Sequence, residues 1–227
     1  MQSHNSPTQS SWVRRHLTLV AIATLKRFRP HVSSVLFLTR RMCVKYGPFQ
    51  HLSDAAAMQF IASHTSIPVP KTYMKEMRSL KPPNPGVIEG VDGDKLYDMR
   101  LQDGLQGFGP FDSIRGFHSF PRGGIRASPD QIPEVNKLAE KHEKAQFSTR
   151  FTHGDLNSMN ILVKGDSIVG IIDWDTAGWY PEYWEHTTAY NINPYNGFWK
   201  DEIGTFLEES PEAANKEQLR QKYFGTL

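Results

Sequence analysis

His153-Gly154-Asp155-Leu156-Asn157-Ser158-Met159-Asn160 is followed, 13 residues past Asn160, by Asp173 within Ile171-Ile172-Asp173-Trp174-Asp175. Phosphoryl transfer needs a carboxylate beside the attacking hydroxyl. It also needs a neutral oxygen ligand and a second carboxylate to hold Mg2+ against nucleotide phosphates. Asp155, Asn160 and Asp173 are groups of those three kinds. Between them the apolar run Ile161-Leu162-Val163, the turn Lys164-Gly165-Asp166 and the run Ile168-Val169-Gly170-Ile171-Ile172 predict a β-hairpin. That hairpin would return Asp173 to the side of Asn160. An H-x-D tripeptide alone is common, so the argument rests on the three polar positions agreeing with the strand pattern between them.

At these residues the chain resembles the aminoglycoside phosphotransferase family, whose members carry HGDL-N-x-x-N-I-L-V and I-I-D-W-[DE]-x-A-G in place of the protein-kinase catalytic loop and DFG. The resemblance continues through Trp179-Tyr180-Pro181-Glu182-Tyr183-Trp184-Glu185, a tail typical of the fungal branch. It reaches back to Val44-Lys45-Tyr46-Gly47 and His64-Thr65-Ser66-Ile67-Pro68-Val69-Pro70, and so covers roughly residues 32 to 200. It implies an α+β, protein-kinase-like fold of two lobes, with a truncated small N-terminal lobe and a mainly helical C-terminal lobe. A basic extension and helix would occupy residues 1–30, the small nucleotide-binding lobe residues 31–77, and the large lobe with catalytic loop and metal site residues 78–227.

The resemblance also implies roles. Asp155 is the base that orients the acceptor hydroxyl, Asn160 and Asp173 are the metal ligands, and Lys45 clamps the nucleotide phosphates. His153 and Asn157 support the loop, His153 positioning it rather than reacting. ATP and Mg2+ are the implied cofactors and a small-molecule hydroxyl compound the implied acceptor. Asp175 is either an acceptor behind the metal site or a cap for the segment that follows, and the cap is preferred. Glu182 and Glu185 are candidates for binding a cationic acceptor, as acidic residues do in related enzymes. Asp54 stands where the family pattern E-A-x-A-M-x-F has Glu, in Asp54-Ala55-Ala56-Ala57-Met58-Gln59-Phe60. It either pairs with Lys45 on the nucleotide side or complements the dipole of its own helix.

One stretch departs from the family. There a fifth strand, a hinge of the type M-E-Y-I-x-G whose backbone holds the adenine, and a helix crossing into the large lobe would follow Met74. Here Tyr73-Met74-Lys75-Glu76-Met77 runs directly into Arg78-Ser79-Leu80-Lys81-Pro82-Pro83-Asn84-Pro85-Gly86, which points to an internal deletion of the hinge. Nothing before Lys45 resembles a glycine-rich phosphate loop. The alternative function is therefore a catalytically impaired descendant that keeps the fold.

Composition bounds the rest. The 227 residues, 38% hydrophobic and 22% charged, are those of an ordinary globular protein, and a formal net charge of +2 gives no general case for nucleic-acid binding. No stretch is apolar enough for a membrane span, and the single cysteine, Cys43, fits a reducing compartment and a buried strand position. The expected location is the cytoplasm. Residues 1–53 hold eight Lys or Arg and no acid, a start that also resembles a mitochondrial presequence; a basic helix packing on the small lobe is the preferred reading.

Along the chain the pattern predicts a helix from about Ser11 to Phe28, a hairpin of Val35–Leu38 with Met42–Tyr46, and a helix from Asp54 through Ala62 behind Ser53. Pro68 and Pro70 are expected to lead into a short extended piece, Lys71 to Met74. Gly104 to Arg126, rich in Gly and Phe, reads either as a lid at the acceptor site or as a surface loop anchored by its phenylalanines. Asp130 to Phe147 reads as a helix with Ile132, Val135, Leu138 and Ala139 toward the core. Trp179, Tyr180, Tyr183 and Trp184 are expected to pack, and the last thirty residues to form one or two surface helices.

Overall fold

A computed structural model describes residues 12–29, 31–32, 35–37, 43–45, 56–57, 60–61, 70–101, 103–165, 167–191 and 197–225. These residues form a mixed α/β fold with three small sheets. Helix α1 (Trp12–Leu25) precedes a sheet of β1 (His31–Val32), β2 (Val35–Phe37) and β3 (Cys43–Lys45), antiparallel in chain order. The β2–β3 hairpin, with Val35 opposite Lys45, is the one the two apolar runs predict. Ala56, Ala57, Phe60 and Ile61 are helical, as expected of that stretch, and Ala57 is buried in the main core. Asp54 lies outside the described residues. Among the described side chains of α1, Leu19 and Val20 are exposed and Ile22 and Leu25 half-buried.

Helix α2 (Pro70–Ser79) replaces the extended piece expected at Lys71–Met74. Proline lacks an N–H, but the first turn of a helix leaves that group unused, so Pro70 starts this helix instead of breaking one. Tyr73, Met74 and Met77 then fall on one face and pack into the core with Phe151.

The remaining elements build the body that carries the motif. Strand β4 (Glu89–Gly90) pairs with β8 (Gly178–Pro181), which also pairs with β5 (Thr149–Thr152), both antiparallel. Helices α3 (Ile114–Ser119) and α4 (Pro133–Lys144) lie between β4 and β5, and α5 (Trp184–Asn191), α6 (Gly197–Ile203) and α7 (Pro211–Phe224) follow β8. Strands β6 (Ile161–Lys164) and β7 (Ser167–Ile171) form the hairpin read from the sequence, Ile161 opposite Ile171, with a bulge between Leu162 and Val163.

Because successive side chains of a strand face opposite ways, β8 joins two cores. Trp179 enters the cluster of Met74, Met77, Phe151, Leu156 and Trp174, whereas Tyr180 enters that of Ile88, Leu96, Phe108, Phe117 and Trp184. Gly178 has no room for a side chain, since a Cβ would lie 2.4 Å from Leu96 Cδ2 and 2.9 Å from the Glu89 carbonyl. The expected packing role of the Trp179–Trp184 aromatics holds.

The Gly104–Arg126 segment is anchored rather than lid-like. Phe108 and Phe111 bridge to Leu96 and Ile88, Phe117 is fully buried, and part of the segment is helix α3. Helix α4 is shorter than expected, beginning at Pro133. Val135, Leu138 and Ala139 face the core, but Ile132 sits at the N-cap and is 52% exposed, because residues before the first turn do not share the helical face.

His142 of α4 stacks on His118 of α3 with ring centroids 4.4 Å apart, and His118 Nε2 lies 2.7 Å from the Tyr183 hydroxyl. Burial holds both imidazoles neutral, lowering His118 to about 4 and His142 to about 2 from the ordinary 6.5; Arg122 and Lys216 lower both further, and His118 also lowers His142. The unfolded chain takes up these protons near pH 6.5 and the folded chain does not. Stability from this pair is therefore full above about pH 6.5 and is lost as the pH falls from there toward 4. His142→Phe should reduce the acid-side slope of the urea midpoint between pH 6.5 and 5 by about one proton, up to roughly 1.4 kcal/mol per pH unit. An unchanged slope would contradict the assignment.

Candidate active site

The loop after β5 is held by its main chain. His153 N–H and Gly154 N–H donate to the two carboxylate oxygens of Glu185, at 2.6 and 3.1 Å, and Glu185 sits in the first turn of α5 with 1% exposure. The Gly154 carbonyl accepts from Arg100 Nη2, and Thr176 Oγ1 donates to the His153 carbonyl at 2.8 Å. Gly154 adopts φ +81°, and a Cβ there would approach the Thr176 carbonyl to 2.8 Å, so only glycine fits. Burial raises the Glu185 carboxyl, while Arg78, the two N–H groups and Arg100 oppose the rise.

His153 joins this loop to the hairpin. Its Nδ1 accepts the Asp155 N–H at 3.2 Å, so Nε2 carries the proton and donates to the Ile172 carbonyl at 3.0 Å. The Nδ1 bond needs the neutral ring, whereas the Nε2 bond would survive protonation. Burial lowers the imidazole to about 4, against the Ile172 bond and the nearby Asp173, so the neutral form is secure at neutral pH. The Trp174 ring lies 4.4 Å from it, centroid to centroid.

Asn157 caps the turn Ser158–Asn160, accepting from Met159 N–H at 2.8 Å and donating to the Asp155 carbonyl at 3.1 Å. Asn160 donates from Nδ2 to both the carbonyl and Oδ2 of Asp155, at 2.8 and 2.9 Å. Burial pushes the Asp155 carboxyl up; Arg100 and the Asn160 bond pull it back, and Asp173 and Asp98 add to the rise. Ile172 N–H donates to the Asn160 carbonyl at 2.9 Å, and the next residue, Asp173, has φ +68°. The structure thus brings Asp155, Asn160 and Asp173 together around His153 and Asn157, as the spacing implies.

Other expected residues fall elsewhere. Lys45 ends β3, but its side chain lies outside the described residues, as does Asp54. Asp175 opens a turn that runs into β8. Glu185 is not an acceptor-binding acid, because it is sealed inside and spent on the loop. The Glu182 carboxylate accepts from Ser148 Oγ and its carbonyl from Arg78. Among the described residues, no group of three His, Cys, Asp or Glu could hold a metal ion alone.

The sequence reading missed Arg100 and Asp98. Arg100 is clamped in a fork by the buried Asp98, with Nε to Oδ1 and Nη2 to Oδ2 both at 2.7 Å, which aims it at the Gly154 carbonyl. An Asp-x-Arg pair in a loop is too common to reveal this by itself.

Residues 116–218 match the phosphotransferase enzyme family. The match includes Asp155, Asn160, Asp173 and Glu185, supports that family for this chain, and agrees with the resemblance carried by the motif. No curated protein matches the chain. A thermostable mutant of aminoglycoside phosphotransferase APH(4)-Ia, in its apo form, aligns with 18% identity and a TM-score of 0.41. That alignment covers 73% of this chain and 55% of the other, so the chain spans about half the length of that protein. No helix among the described residues is long and apolar enough to cross a membrane.

Truncating the buried acid tests the clamp on the His153–Asn160 loop. Glu185→Ala leaves two buried N–H donors without their acceptor and removes the negative charge that faces Arg78, and should cost about 3 kcal/mol in urea unfolding. Glu185→Gln, which retains an acceptor, should cost less. A loss below about 1 kcal/mol for the alanine variant would show that the loop is held by other means.

Proposed function

We propose that this phosphotransferase-family chain moves the γ-phosphoryl group of ATP to the hydroxyl of a small-molecule acceptor. The observation that carries the reading is the Asn160–Asp155 pair. Asn160 spends its amide nitrogen on Asp155, which turns its other end, the oxygen Oδ1, into the atom available to a cation. Asp173 follows the residue bonded to the Asn160 carbonyl and holds a left-handed backbone.

The donor set suits Mg2+. This hard cation takes oxygen ligands and is usually bound by one or two carboxylates plus substrate phosphates and water, without an all-protein cage. Asn160 Oδ1 and the Asp173 carboxylate would hold it, and bound Mg2+ would supply charge neutralisation at the nucleotide phosphates. Lys45 is the proposed clamp on those phosphates, with Asp54 as its partner or as a helix-dipole residue. Asp155 accepts the proton of the acceptor hydroxyl and aims that oxygen. Arg100 and the Asn160 hydrogen bond offset part of the rise that burial imposes on this carboxyl. His153 stays neutral and holds Asp155 by its main chain.

A second reading, a nucleotide-binding relative without turnover, is favoured by one feature. Among the described residues no strand lies between Lys45 and Glu89, where the hinge that reads adenine would stand.

Asp155→Ala should reduce phosphoryl transfer to a panel of hydroxyl compounds by roughly 10²–10⁴-fold. Affinity for Mg-ATP should stay within a few-fold of the parent, because Asp155 faces the acceptor. Equal loss of both would remove Asp155 from the role of base. Mg-ATP binding without transfer by the parent chain would select the second reading.

A further inference from the structure

A cavity of about 400 Å3 opens on the inner side of the β6–β7 hairpin, between it, α2 and α6. Its walls are Tyr73 and Met74 from α2, Ile168 and Ile171 from β7, and Phe198 and Trp199 from α6. Apolar pockets of a few hundred cubic ångströms with a small number of convergent polar groups are the usual form of a small-molecule site. Its polar groups are Glu202 and Thr205, with the Glu202 side chain exposed.

Charge narrows the ligand. Among the described residues no Lys, Arg or His lines the cavity, and Lys200, the cation next along α6, stands 5.1 Å over the Tyr190 ring instead. An anion would be opposed by the Glu202 carboxylate. A cation would find that carboxylate unopposed.

We propose that this cavity binds an apolar, ring-bearing amine. The rings lie against the aromatic and branched walls, and the ammonium points to Glu202. The proposal does not depend on the phosphotransferase reading, because neither Asp155 nor Asp173 lines the cavity.

The test uses two probes with the same rings, 2-(1-naphthyloxy)ethylamine and (1-naphthyloxy)acetate, titrated calorimetrically into the full chain at pH 7.5. The amine should bind, and the acid roughly fivefold more weakly or worse. Glu202→Gln should weaken the amine by about fivefold, the ceiling for an exposed ion pair, without weakening the acid. Ile168→Trp, which fills the cavity, should abolish binding of both probes. Phe198→Ala removes a wall residue that is 61% exposed, so it leaves the core intact and should weaken both probes several-fold even if the tryptophan variant fails to fold. No binding of the amine, equal binding of amine and acid, or binding indifferent to Phe198→Ala would overturn the proposal.

Discussion

Glu185 accepts two consecutive main-chain N–H groups from inside the protein, and the arrangement of the candidate site depends on it. A buried carboxylate is costly unless it is hydrogen-bonded and faces positive charge. Here both conditions are met by the parts that have to be held together: the N–H groups belong to His153 and Gly154, and the charges to Arg78 on α2 and Arg100 near β4. Arg100 is itself aimed by the buried Asp98 and takes the Gly154 carbonyl from the other side. The peptide before Asp155 is therefore gripped through its donors by an acid and through its acceptor by a base. Such a grip leaves little freedom for rotation, and the glycine at φ +81° is the backbone form it demands.

From that fixed peptide the rest follows by short bonds. His153, neutral and buried, passes the constraint to the end of β7 through the Ile172 carbonyl, and Ile172 N–H returns it to Asn160. Asn160 closes the circuit on Asp155. The three polar groups of the motif sit at junctions of this circuit and not on free loops, which is the condition for preorganised chemistry. The acid–base tuning of Asp155 is a contest within the same circuit, with burial on one side and Arg100 and Asn160 on the other.

Much of this was legible in the sequence because its signals are local. Strand alternation and the Lys164–Asp166 turn give the hairpin, and the hairpin gives the return of Asp173 to Asn160. Asn157 as a supporting residue and His153 as a positioning one follow from one loop, and the structure makes Asn157 the cap of the next turn. What was missed depends on partners distant in the chain. Glu185 reads as a candidate acceptor-binding acid because nothing nearby in sequence shows that two N–H groups more than thirty residues away fill its carboxylate. Asp98 and Arg100 gave no signal for the same reason. The start of α2 was misread because proline ends a helix from within but suits its first turn, and only the packing of Tyr73, Met74 and Met77 separates the two cases.

The central claim is that Asn160 and Asp173 form a cation site serving a nucleotide. Calorimetric titration of the full chain with ATP, in Mg2+ and again in EDTA, tests it most directly. The account predicts binding that requires Mg2+ and is lost on changing Asp173 to Asn, where a neutral amide replaces the carboxylate. Equal affinity with and without Mg2+, or no binding at millimolar ATP, would contradict it.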